Sequence, residues 1–297
     1  MKTMFKKLLG FAAVAAFSAG TLACSAKSVP VDGHPESVVE EDDHYYIAVV
    51  GKQLEPTRKD GDGFILKVNR RGKIISPNAF PQVKLDAPKG AIVEDDVLYV
   101  ADVDRIVGIN LRTGTQVCNV DMSSTGAQFL NDIVEEDDFL YVSATDINKI
   151  FRIDMRSWKF EEVPVSEPLN APNGLAIEHG FLYIGEYASD AAGQPAGRIK
   201  KIPLAGNGPR PVSVVYSVPG MYDGLIAREV EDIFDRETDY LYFSDWASQS
   251  VKRINLATSA VETVTKVPVA GPADFIIEDD KLWLPAMPER KVLIQTL

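Results

Sequence analysis

The sequence predicts an all-β protein, a six-bladed β-propeller with four antiparallel strands per blade, and two observations carry that prediction. The first is repetition. The segments HPESVVEEDDHYYIAV (34–49), APKGAIVEDDVLYVAD (87–102), FLNDIVEEDDFLYVSA (129–144), APNGLAIEHGFLYIGE (171–186) and GPADFIIEDDKLWLPA (271–286) align without gaps. A sixth copy, DGLIAREVEDIFDRETDYLYFSDW (223–246), carries the same second strand behind a longer loop. Each reads as a short apolar strand, an acidic or Gly-containing turn of four or five residues, and a strand of Leu/Tyr, aromatic and β-branched residues. The second observation is the period. The anchoring aromatics Tyr46, Tyr99, Tyr141, Tyr183, Tyr242 and Trp283 follow one another at 53, 42, 42, 59 and 41 residues, and periods near 40–45 with four strands each mark propeller blades.

In chain order, residues 27–33, KSVPVDG, read as a strand without a hairpin partner. Blade one takes 36–43, 44–51, GFILKVN and a fourth strand within 74–84. Blade two continues with VLYVADV, RIVGINLRTG and TQVCNVDM, and blade three with FLYVSAT, KIFRIDMRSWK and EEVPV. Blade four has FLYIGEY, a Gly/Ala-rich loop at 188–197, GRIKKIPL and PVSVVYS; blade five has YLYFSDW, SVKRINLATS and AVETVTKV. Blade six, DFIIEDD, KLWLPAM and KVLIQTL, is one strand short. An open ring exposes unpaired strand edges, so the orphan segment around Ser28–Asp32 is expected to supply the outer strand of blade six.

The first 23 residues predict an export signal: MKTMFKK is basic, and the run from Leu8 to Ala23 is apolar and ends in small residues. Thr21-Leu22-Ala23-Cys24 resembles a bacterial lipobox, in which Cys24 would be lipidated; cleavage after Ala23 or Ala26 by ordinary signal peptidase is the alternative. Residues 24–297 are then a single propeller domain of the cell envelope, expected in the periplasm, touching a membrane only through an anchor at Cys24. Cys24 and Cys118 are the only cysteines, so no structural disulfide is expected. The formal charge is −12, and removing Lys2, Lys6 and Lys7 with the leader gives −15. Such a surface repels phosphate backbones and argues against a nucleic-acid partner. It leaves a small molecule as the expected one.

Ten positions before the anchoring aromatic, five blades carry Glu36, Lys89, Asn131, Asn173 and Ala273, and Pro35, Pro88, Pro172 and Pro272 precede four of these. Proline suits a strand's first residue. These positions begin the innermost strands, which converge on the mouth of the central channel. Oxygen-bearing side chains gathered there need a partner, and either a hard cation or channel water would serve. Asp132 and Asp274 share the next register position, from which they would either point toward the channel or, as structural residues, hydrogen-bond neighbouring blades. Lys59-Asp60-Gly61-Asp62-Gly63 lacks the ligands of a calcium loop and reads as a turn. His34, His44 and His179 have no zinc or triad spacing, although His34 lies near the mouth.

The segments Pro35-Glu36-Ser37, Leu130-Asn131-Asp132, Pro172-Asn173-Gly174-Leu175 and Asp223-Gly224-Leu225 resemble the motifs of the gluconolactonase / regucalcin (senescence-marker-protein) family of six-bladed propellers, a likeness extending over 34–297. The resemblance implies one divalent cation, calcium first with Mg²⁺, Mn²⁺ or Zn²⁺ as alternatives, held by Glu36, Asn173 and Asp223 with Asn131 beside it. It selects Asp223 as the blade-five ligand, whereas counting ten back from Tyr242 lands on Asp232. It also implies a metal-dependent lactone or ester hydrolase in which Asp223 activates water; Asn131, Lys89 and Phe129 are the candidate substrate contacts at the mouth. Phe129 stands where the family's sugar-lactone enzymes often carry Arg, and Ile133 replaces the Gly of their NDG motif. The competing expectations are a non-catalytic envelope propeller that binds a ligand or partner, and a strictosidine-synthase-like relative. Lys89 could meet an anionic substrate or pair with a nearby acid.

Overall fold

The computed structural model describes residues 27–206, 208–231 and 237–297. The leader at 1–23, Cys24 and Asp232 lie outside the described residues. Strand β1 (Lys27–Pro30) precedes blade one, which comprises β2 (Pro35–Glu41), β3 (His44–Val49), β4 (Phe64–Asn69) and β5 (Ile74–Ser76). Blade two is β6 (Pro88–Glu94), β7 (Val97–Asp102), β8 (Arg105–Asn110) and β9 (Gln116–Asp121), and blade three β10 (Leu130–Glu136), β11 (Phe139–Ala144), β12 (Lys149–Asp154) and β13 (Phe160–Glu162). Blade four is β14 (Pro172–Glu178), β15 (Phe181–Glu186), β16 (Gly197–Pro203) and β17 (Ser213–Gly220). Blade five is β18 (Tyr222–Glu231), β19 (Glu237–Asp245), β20 (Ser250–Asn255) and β21 (Val261–Thr263). Blade six holds β22 (Ile276–Glu278), β23 (Lys281–Ala286) and β24 (Lys291–Thr296). Blades one to five are four-stranded antiparallel meanders, blade six is a four-stranded antiparallel sheet completed by β1, and the predicted six-bladed propeller is the architecture found.

The ring closes as expected. β1 pairs antiparallel with β24, Val29 opposite Val292, and blade six reads β1-β24-β23-β22 across its sheet. Val29 and Val31 are buried, in one cluster with Val292 and Ile294 of blade six and Val38, Tyr45 and Ile47 of blade one. Within that cluster Tyr45 stacks on Trp283 at 3.9 Å between ring centroids. Successive strand residues point to opposite sheet faces, so Tyr45 faces blade six while Tyr46 joins Ala91, Leu98 and Val100 of blade two. The same alternation fills the remaining junctions, two–three, three–four, four–five and five–six, each with its own apolar cluster.

The hairpin turns are tighter than the sequence suggested. Glu41 pairs directly with His44, leaving only Asp42 and Asp43 in the connection, at φ 49° and 63°. Asp95–Asp96, Asp137–Asp138 and Asp279–Asp280 repeat this, and His179–Gly180 does so in blade four. Positive φ at both central residues defines the type I′ turn, whose twist matches that of the flanking strands. Asp tolerates the left-handed region because its side chain hydrogen-bonds locally. In blade five the extra residues lengthen the strands themselves, and pairing continues out to Glu231 opposite Glu237.

Removing residues 27–33 uncovers the edge of β24 and strips two buried valines, each worth about 1.5–3 kcal/mol of burial. The truncated protein is expected to melt roughly 10 °C lower, at about 2–4 °C per kcal/mol for a chain of this size, and to self-associate through the freed edge. An unchanged melting temperature in calorimetry would contradict closure by β1.

Candidate functional site

Five inner strands share an irregularity at one place. Pro88 lies opposite Asp102 and Ala91 opposite Val100, so Lys89 and Gly90 face a single partner residue, Ala101. One extra inner-strand residue is likewise accommodated between Pro35 and Ser37, Leu130 and Ile133, Pro172 and Leu175, and Tyr222 and Leu225. A bulge of this kind breaks the two-residue alternation and re-aims a side chain. The first residue of each bulge is Glu36, Lys89, Asn131, Asn173 or Asp223, and all five line one cavity of about 210 Å³.

Carboxylates at strand ends fix the approach to three of these bulges. Asp102 accepts the backbone N–H of Ala87 at 2.7 Å and of Asp86 at 3.0 Å, ahead of Lys89. Glu186 accepts Asn170 N–H at 2.8 Å, ahead of Asn173, and Asp245 accepts Met221 N–H at 3.1 Å, ahead of Asp223. Each acid sits three residues after its anchoring aromatic, a register signal readable in the sequence and missed there. Close contact between inner strands completes the arrangement. A Cβ on Gly174 would lie 1.7 Å from the Asp223 carbonyl oxygen, and one on Gly224 would lie 2.6 Å from Asp274 Cα. The absence of a side chain at these positions lets Asn173 and Asp223 arrive side by side.

Three of the five buried side-chain polar atoms without a hydrogen-bond partner among the described residues lie in this cavity: Glu36 Oε2, Asn173 Oδ1 and Asp223 Oδ1. Native interiors rarely leave such atoms unpaired. The other oxygen of Asp223, Oδ2, is fixed by the Trp246 indole N–H at 2.8 Å. Burial, and then the neighbouring Asp274 charge, push the Asp223 carboxyl up to about 8, against the opposing Trp246 hydrogen bond. Glu36 is held well above the usual carboxylate range by burial and by Asp223, Asp274 and Asp132. Two carboxylates and an amide oxygen, desolvated and unpartnered, are a hard-cation donor set. The residues present therefore fit a divalent ion, with Glu36, Asn173 and Asp223 as protein ligands and Asn131 on the same wall.

Asp132 and Asp274 behave differently. Asp132 Oδ2 accepts Leu175 N–H across to blade four at 2.6 Å, and its Oδ1 accepts Ile133 N–H at 2.7 Å. Asp274 Oδ2 accepts the Ser37 hydroxyl of blade one at 2.7 Å, and its Oδ1 accepts Phe275 N–H at 3.0 Å. They stitch blades together, as the register suggested. Asp223 is the second residue of β18, inside its bulge.

Lys89 does not pair with an acid among the described residues, contrary to one of the two sequence expectations. Its ammonium donates to the carbonyls of Ala87 at 2.8 Å and Pro56 at 3.0 Å and lies 5.4 Å from the centre of the Phe129 ring. Burial lowers its pKa to about 8, against the pull of Asp102 and Glu36. His34 stays outside the lining, its Nδ1 within 2.9 Å of the Met287 carbonyl. Asp62 in the Asp-Gly loop accepts Lys52 N–H, as a turn residue does.

The remaining walls are Leu54, Pro56, Phe129, Tyr187, Trp246 and Met287. Of these only Phe129 was singled out from the sequence. Tyr187, Trp246 and Met287 each stand four residues past an anchoring aromatic, where the second strand of the blade emerges at the mouth, and that spacing would have found them.

No family model matches the chain, and no curated protein matches it. Among solved structures it is similar to virginiamycin B lyase from Staphylococcus aureus, at 15% identity over 92% of this chain and 99% of that one, with a TM-score of 0.58. It is similar also to an auxiliary nutrient binding protein from Bacteroides thetaiotaomicron, at 10% identity over 89% and 69% of the two chains and a TM-score of 0.65. A chain of the nidogen/laminin complex matches at 15% identity, 81% and 88% coverage and a TM-score of 0.62. At these identities the likeness is one of fold. The architecture thus occurs in an enzyme, a nutrient-binding protein and a nidogen/laminin complex alike, and chemistry has to be argued from the cavity.

Substituting Gly174 by Ala drives a methyl into the Asp223 carbonyl. The expected cost is about 1–3 kcal/mol or more, read as a melting temperature several degrees lower in calorimetry. A variant that melts like the parent would show that the two strands do not approach as described.

Proposed function

We propose that the cavity at the channel mouth holds one divalent cation, calcium in the first instance, and that the protein hydrolyses a lactone or ester there. The observation that carries this reading is the convergence of three unpartnered buried oxygens from three different blades on one cavity. Their identity with the motif positions of the gluconolactonase and regucalcin family supports it. A bound cation would supply a Lewis acid that polarises the ester carbonyl, commonly worth several kcal/mol.

The chain's own residues supply the rest. Asp223 has one oxygen held by Trp246 and the other free within the cavity. In this reading that oxygen, at the edge of the cation, takes a proton from water as the water attacks the carbonyl carbon. The acyl–oxygen bond then breaks, and the proton passes to the departing alkoxide, giving a hydroxy acid from a lactone. Such general-base help is worth roughly 10²–10⁴-fold. Asn131 offers an amide to a substrate oxygen on the same wall. Export to the cell envelope, with Cys24 as an anchor, belongs to the same reading. A non-catalytic role in ligand binding is favoured by one observation, Phe129 in the wall where an Arg would bind sugar hydroxyls.

Calcium at about 100-fold its Kd is expected to add about 2.7 kcal/mol to stability, raising the melting temperature by several degrees, with the rise absent after Glu36→Gln or Asp223→Asn. Against a panel of lactones, turnover is expected to vanish with chelator and to fall at least 10²-fold in Asp223→Asn. Chelator-insensitive hydrolysis refutes the mechanism; a cation-induced rise with no turnover on any lactone or ester leaves the binding role.

A further inference from the structure

We propose that Lys89 is a specificity-determining residue, the anchor for a carboxylate carried by the substrate, so that the cavity takes an apolar-bodied lactone or ester bearing one free carboxylate rather than a sugar lactone. For the reacting carbonyl the inference rests on the hydrolase reading above; for the carboxylate it stands on Lys89 itself.

Lys89 is 1% exposed. Burying an ammonium is costly unless it is paired, and the structure shows what pairing looks like elsewhere. Lys200 meets Glu186 at 2.6 Å and Lys252 meets Asp245 at 3.1 Å, both acids being the strand-end carboxylates described above. In blade two the equivalent acid, Asp102, is taken by Arg105 at 2.8 Å. Lys89 is left with two neutral carbonyls, of Ala87 and Pro56. An ammonium has three N–H donors, so one remains, on a side chain that lines the cavity.

The surroundings select the ligand's chemistry. A phosphate dianion calls for several donors, usually Arg or a nest of backbone N–H groups, and no Arg lines this cavity. One free N–H on a single positive charge suits a carboxylate. Leu54, Phe129, Tyr187, Trp246 and Met287 present carbon to the rest of the ligand, and sugar hydroxyls placed against them would lose their hydrogen bonds to water without replacement. A divalent cation at the acidic wall and an ammonium at Lys89 would also repel across a low-dielectric cavity. A ligand that sets its carbonyl oxygen toward one and its carboxylate on the other relieves that repulsion.

The test compares a δ-lactone whose alkyl side chain ends in a methyl group with the same lactone ending in a carboxylate, together with the corresponding cyclic ketones as non-hydrolysable ligands in calorimetric titration. Wild type is expected to show a ten- to hundredfold lower KM and Kd for the carboxylate member, the range a charge-assisted hydrogen bond supplies. Lys89→Met and Lys89→Gln are expected to bring that ratio within about threefold of unity, their cation-induced melting shift showing that the site is still assembled. A wild-type ratio near unity overturns the inference without any variant, as does a ratio that survives in Lys89→Met. Tighter binding of a phosphate-ended chain overturns the choice of carboxylate. If the ketones show the Lys89-dependent ratio but no lactone is turned over, the hydrolase reading fails and the Lys89 assignment stands. If lactones are hydrolysed with no preference, the reverse holds.

Discussion

The contact between inner strands of neighbouring blades at the channel mouth is the constraint on which the site depends. Blades pack through apolar faces, and side chains on both sides would normally hold their backbones well apart. Here one partner at the contact is glycine: Gly174 lies against the Asp223 carbonyl, and Gly224 against the Asp274 backbone. Asn173 and Asp223 consequently line one cavity, because each belongs to the bulge that makes the contact. A methyl on either glycine would separate the very groups the bulges turn inward.

Such a mouth is unfavourable in itself. Burial raises the proton affinity of four carboxyls, Glu36, Asp132, Asp223 and Asp274, and the charge of Asp274 adds to the effect on the other three. The surrounding ring sustains this. Six apolar junctions, the last completed by β1, hold the blades at a fixed angle whatever the mouth contains. Closure at the periphery and charge at the axis are therefore linked: a ring that could open would relax by letting the acids part and hydrate. Strand-end acids add local rigidity, since Asp102, Glu186 and Asp245 satisfy backbone N–H groups just before three of the bulges.

Most of the fold was legible in the sequence because a propeller repeats its hydrophobic pattern six times. Even the missing strand could be read, as an unpaired edge in blade six and an unpaired segment ahead of blade one. The turns were misjudged because Glu-Asp-Asp reads as a polar loop, whereas the glutamates continue the strand and only the two aspartates turn, at positive φ. The ligand candidates were legible as polar residues at a shared register, but not the reason they meet. A bulge leaves no mark of its own in a hydrophobic pattern, and only the glycines of PNGL and DGL hint at it. Lys89 was half legible: its position pointed to the mouth, but that Arg105 takes the acid homologous to the partners of Lys200 and Lys252 emerges only from the folded chain.

The distinction between holding the ring together and serving a ligand comes down to a shift of one residue along the inner strand. At the position nine before the anchoring aromatic, Asp132 and Asp274 spend both carboxylate oxygens on partners inside the protein, one of them in the adjacent blade. At the position ten before it, Glu36 and Asn173 each keep an oxygen with no partner, and Asp223 does the same at the bulge of blade five. Burial and charge do not separate the two groups, since all the acids among them are desolvated and all are shifted upward. Hydrogen-bond satisfaction does. The structural carboxylates have both oxygens satisfied inside the protein, whereas these three oxygens have no partner among the described residues.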